Sequence, residues 1–145
     1  MGWVSPTGHN DPGVVWVNPE LAYDESLITY AATALTTGVW TAFLGLTHAA
    51  LNCDKIQFVA RVCGTKVDSI DVDVYYDGDW HHVYEGAYTN SEWVEKPIPA
   101  GTKSVTAAQI RFHGIVDDPY EHLLGEFDFW EVPAAVGRSF GFIMG

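Results

Sequence analysis

Basic residues are scarce in this chain: 7 Lys and Arg stand against 19 Asp and Glu, a formal net charge of −12 over 145 residues. A surface so acidic repels phosphate backbones, which argues against nucleic acid as a partner and leaves carboxylates for a divalent cation. Cysteine is nearly missing too. Cys53 and Cys63 bracket an extended pattern, and ten strand steps separate them by roughly 33 Å against a limit of about 7 Å for a bridge. Two free thiols are expected. No Asn-x-Ser/Thr sequon occurs, and the opening Met1-Gly2-Trp3-Val4 lacks the basic and apolar regions of a secretory signal. There is no Gly-x-Ser-x-Gly elbow, P-loop, dinucleotide fingerprint or His-Glu-x-x-His, so the expectation is a chain that is not an enzyme.

Residues 26–52 carry no Lys, Arg, Asp or Glu. Six threonines, Gly38, Gly45 and His48 interrupt the stretch, whereas a membrane helix needs about 20 predominantly apolar residues. Two buried strands turning at Thr37-Gly38 fit better, and no membrane partner is expected.

What is present is hydrophobic and aromatic. Hydrophobic residues make up 48% and aromatics 14%, which suits a folded sheet protein. Ile56, Phe58, Ala60 and Val62 alternate with Gln57, Val59 and Arg61. Ile70, Val72 and Val74 alternate with Asp71 and Asp73, and Asp77-Gly78 then marks a two-residue hairpin turn into Trp80–Glu85. Ala108, Ile110 and Phe112 share one face, and Phe127 and Phe129 alternate with Asp128 and Trp130 until Pro133. Seven or eight short strands without a helical period predict an all-β antiparallel β-sandwich or jelly roll. No repeat or charge block divides it. We read residues 1–132 as one domain with a loop-rich arm over 1–21, and 133–145 as an apolar tail.

Three stretches resemble the galactose-binding-like jelly roll of discoidin domains and many carbohydrate-binding modules. They are AYDESLITYA (22–31), the hairpin SIDVDVYYDGDWHHVYEG (69–86), and the pair TAAQIRFHG and GEFDFWEV near the end. Similar hairpin and closing strands also look like those of small structural proteins of tailed bacteriophages. The resemblance implies a structural Ca²⁺ held by Asp24, Thr29 and Glu126, with Glu25 standing where the family usually has Gly. The alternative is that Asp24 and Thr29 cap a turn and Glu126 is solvated.

The hairpin carries the candidate ligand face. A two-residue turn pairs Tyr76 with Asp79, Tyr75 with Trp80, Asp73 with His82 and Asp71 with Tyr84. Tyr75, Trp80 and Tyr84 beside His82 and the aspartates then offer rings and hydroxyl-bonding groups to a glycan. A buried second face or a protein contact is the competing reading. His81 and His82 point to opposite faces and cannot share a metal directly, and His113 with Asp117 and Asp118 is only loosely suggestive. In the tail, Phe140, Phe142, Ile143 and Met144 either fold back or dock into a neighbouring subunit. The leading expectation is a structural or attachment protein of a phage-like particle, homo-oligomeric, found in virions or outside cells. The alternative is a carbohydrate-binding module, stabilised by calcium.

Overall fold

A computed structural model describes residues 2–62 and 65–133. Nine strands occur among them: β1 (Gly2–Val4), β2 (Gly8–Asn10), β3 (Ala31–Leu35), β4 (Leu44–Ala60), β5 (Val67–Tyr76), β6 (Asp79–Gly86), β7 (Trp93–Pro97), β8 (Lys103–Gly114) and β9 (Asp118–Glu131). A short 3-10 helix over Pro19–Tyr23 precedes β3. Every pairing is antiparallel. No helix among the described residues is long and apolar enough to cross a membrane.

The 17 residues of β4 join the two layers. Its first half, Leu44 to Cys53, pairs with β8 and β2, whereas its second half, Cys53 to Ala60, pairs with β9 and β7. One layer is thus β2-β4-β8-β5-β6, and the other is β7-β4-β9 with β1 and β3 along the far edge of β9. Register shifts between Thr47 and Leu51 and between Cys53 and Ile56 mark where β4 bends from one layer to the next. Gly38, at φ 74°, makes the turn expected at Thr37-Gly38. The strands flanking it pair with β9 and β8 rather than with each other.

Alternation fills the space between the layers. Ile70, Val72 and Val74 of β5 and Ile110 and Phe112 of β8 point inward from one side. Phe58, Phe127 and Phe129 meet them from the other, all fully buried. Each such ring contributes roughly 1.5–3 kcal/mol by leaving water. Cys53 is buried and unbridged, while Cys63 lies outside the described residues. So do Phe140, Phe142, Ile143 and Met144, the residues expected to mediate assembly.

Candidate functional site

The early acidic turn gathers the three residues implied for calcium. Thr29 Oγ donates to Asp24 Oδ2 at 2.5 Å, and the Ser26 amide donates to Asp24 Oδ1 at 3.0 Å. The Glu25 amide reaches across to Glu126 Oε2 on β9 at 2.8 Å. Glu25 adopts φ 63°, the left-handed conformation that suits Gly at this position. The turn keeps its shape despite the side chain. Glu126 is only 3% exposed, not solvated. Burial first, then the Asp24 side chain and the charge of Asp128, push its carboxyl up to about 8. A buried acid facing other acids calls for a proton or a cation, and an all-oxygen set of this kind fits a hard divalent ion.

The hairpin follows the expected register for its first four rungs. Asp77 and Gly78 both take positive φ, 52° and 79°, as a type I′ turn requires. Tyr76 pairs with Asp79, Tyr75 with Trp80, and Asp73 with His82. The Tyr75 and Trp80 rings meet edge to face, 5.2 Å apart. Beyond that the expectation fails. A bulge at Val72/Asp73 sets Tyr84 opposite Val72 and Glu85 opposite Asp71. Because side chains alternate with period two, the extra residue takes Tyr84 out of the Trp80 row. Its hydroxyl donates to Ala87 O at 2.5 Å, and Lys96 Nζ of β7 lies 4.0 Å from its ring. Trp80 is 39% exposed and walls a largely apolar groove of about 370 Å³ with Phe43, Pro12 and Gln109.

His81 and His113 serve structural contacts. His81 stacks on Tyr76 at 3.8 Å, on the face opposite His82. His113 Nδ1 pairs with Asp68 at 2.7 Å; Asp117 and Asp118 instead bind Thr37 and Lys66.

At one end of the sandwich lies a cleft of about 460 Å³ that sequence reasoning missed. It is lined by Tyr30 ahead of β3, Arg61 after β4, Asn90 and Ser91 between β6 and β7, and Glu121 and His122 of β9. Arg61 Nη1 donates to Tyr30 Oη, and its guanidinium lies 5.2 Å from the Tyr30 ring. The ring of His122 packs against both Tyr30, at 5.6 Å, and the exposed Tyr120, at 5.2 Å. Backbone bonds fix the walls. The Ser91 amide donates to Ala60 O at 2.8 Å, and the Val62 amide to Asn90 Oδ1 at 2.7 Å. Ser91 sits at φ 63°, a left-handed residue held in the wall of the cleft. A guanidinium, an imidazole and an amide converge beside aromatic rings, while the buried Glu121 carboxylate is held by Lys66 at 3.0 Å. Such a set can grip a small, hydroxyl-rich molecule with an apolar face. Four distant chain segments supply it, so no local motif marks it. The only signal was a lone Arg ending an apolar strand.

The sequence matches no protein-family model and no curated protein. Solved structures are similar in shape. A CBM32 module from a family 31 glycoside hydrolase of Clostridium perfringens superposes with a TM-score of 0.67 at 12% identity, covering 88% of this chain and 96% of its own. The CBM32 of AlyQ, solved with 4,5-unsaturated mannuronic acid, gives 0.64 at 11% identity over 91% and 100%. The family 32 module of Clostridium perfringens NanJ, solved with galactose, gives 0.58 at 15% over 89% and 90%. At these identities the likeness is one of fold, and nothing in it links the chain to tailed bacteriophages. The chain is an antiparallel β-sandwich of the galactose-binding-like type seen in carbohydrate-binding modules.

Proposed function

We propose that this chain is a non-catalytic carbohydrate-binding module that holds a sugar in the end cleft. One observation carries the reading: Arg61, Tyr30, Asn90 and His122 converge on one cleft of a fold that carbohydrate-binding modules share. Arg61 and Asn90 would bond sugar hydroxyls, and the Tyr30 and Tyr120 rings would take its C–H face. Glycans in two of the similar structures, galactose and an unsaturated uronic acid, support this class of ligand. Asp24, Thr29 and Glu126 would hold a calcium ion, whose charge would replace the proton that the buried Glu126 otherwise needs.

The exposed Trp80 favours a second reading, in which Trp80, with Tyr75 and His82 beside it, forms the sugar platform. Tyr84 would not contribute, since its ring faces Lys96. The particle-surface reading now rests on the phage resemblance and the apolar tail alone, and light scattering of the intact chain would test the expected homo-oligomer. Screening the calcium-loaded protein against an array of immobilised glycans tests the proposed function. Binding to a defined set of sugars is expected, and silence across galactosides, uronates and amino sugars would refute it.

A further inference from the structure

We propose a second metal site, for a zinc-like divalent transition ion, at Asp71, Asp73 and His82 on the outer face of the β5–β6 hairpin. The strand pattern puts it there. Asp71 and Asp73 are alternate residues of β5 and share the outward face, and His82 of β6 stands opposite Asp73. The bulge that displaces Tyr84 also brings His82 within reach of Asp71. Asp71 Oδ1, Asp73 Oδ1 and His82 Nδ1 all lie within 4.8 Å of one another.

The second observation is an orphaned atom. Asp71 is 4% exposed, and its Oδ1 is fully buried with no hydrogen-bond partner among the described residues. Leaving such an oxygen unsatisfied is costly, so an occupant is expected. The remaining oxygens are taken. Arg111 Nε donates to Asp71 Oδ2 at 2.9 Å, and Gln109 Nε2 donates to Asp73 Oδ2 at 2.9 Å. These bonds fix both carboxylates so that each turns its Oδ1 toward the imidazole, as outer partners of metal ligands do.

The distances suit a bridging metal ion and are long for a direct ion pair. His82 Nδ1 stands 3.4 Å from each Oδ1, whereas a charge-assisted N–H···O bond draws in to about 2.7–2.9 Å. Ligands about 2.0–2.1 Å from a tetrahedral ion stand roughly 3.4 Å apart. One imidazole nitrogen with two carboxylate oxygens suits zinc and its neighbours better than calcium. The His82 side chain is 57% exposed, which leaves the remaining position open to water or an exogenous ligand.

The test is zinc titration by calorimetry of the full chain with calcium present, so that the all-oxygen site at Asp24 and Glu126 does not compete. Losing an outer partner of a metal ligand costs roughly 10–100-fold in affinity, so losing a ligand should cost more than about 100-fold. One zinc per chain is expected, weakened to that extent by H82A and by D73N and unchanged by H113A, whose histidine pairs with Asp68 instead. Cobalt(II) gives a second readout: visible d–d absorption in the parent chain that H82A abolishes. Circular dichroism checks that the substituted chains are folded. Zinc affinity untouched by H82A and D73N, or no zinc bound at millimolar concentration, overturns the site.

Discussion

Glu126→Gln tests the acidic turn through the pH dependence of stability. Glu126 titrates near 8 in the folded chain, against 4.5 when solvated, because it is buried beside Asp24 and Asp128. Between those values the folded state binds the proton and the unfolded state does not. Stability without calcium is therefore highest below about pH 4.5, as far as this group is concerned, and falls as pH rises toward 8. The full difference is worth about 5 kcal/mol at 1.36 kcal/mol per pH unit. Solvent screening at the exposed side of the turn reduces this to roughly 2–3 kcal/mol. Asp128, also raised by burial, acts in the same direction from a lower starting pH. Urea unfolding at pH 5 and pH 8.5, with chelator or with calcium, measures it. Chelated parent chain should lose roughly 2–3 kcal/mol across that range, and calcium should remove most of the loss. The amide of E126Q still accepts from the Glu25 N–H but does not ionise, so its stability should fall much less over this range, by the share left to Asp128, and no longer respond to calcium. A flat profile for the chelated parent chain, or an equal slope in E126Q, would refute the reasoning.

Arg61→Ala should weaken glycan affinity by roughly 10- to 100-fold, the worth of hydrogen bonds from a charged group, while Trp80→Ala leaves it within a factor of two to three by calorimetry. The reverse pattern would move the site to the hairpin face. Glu25→Gly removes a side chain from a left-handed residue and should stabilise the chain by about 0.5–1 kcal/mol in urea unfolding. Burial raises the Cys53 thiol to about 11, so peptide mapping after brief treatment with a thiol reagent should find Cys53 unlabelled until denaturant is added.

The fold was legible where alternation and turn chemistry agree. Ile70, Val72 and Val74 with Asp77-Gly78 specify both the inward face and the hairpin register as far as His82. The bulge beyond it was not legible, because nothing in the string HHVYEG separates a paired Val83 from an extra one. Asp71 reads as a residue of the candidate ligand face opposite Tyr84, but Arg111 of β8 covers it, and only strand order brings those two together. The acidic turn of Asp24, Thr29 and Glu126 was singled out through a resemblance, because its members lie about a hundred residues apart in the chain. The end cleft unites residues 30, 61, 90 and 122 through non-local pairing, which no local spacing encodes. Glu25 shows the reverse case: a residue that departs from the expected Gly while its backbone keeps the glycine conformation.

The most direct measurement is nuclear magnetic resonance of the labelled protein titrated with a glycan that it binds, following side-chain signals of Arg61, Asn90, His122 and Trp80. The signals of Arg61, Asn90 and His122 should move together and saturate with one affinity while the Trp80 indole stays still. Movement of the Trp80 indole with an unchanged Arg61 would contradict the end-cleft site.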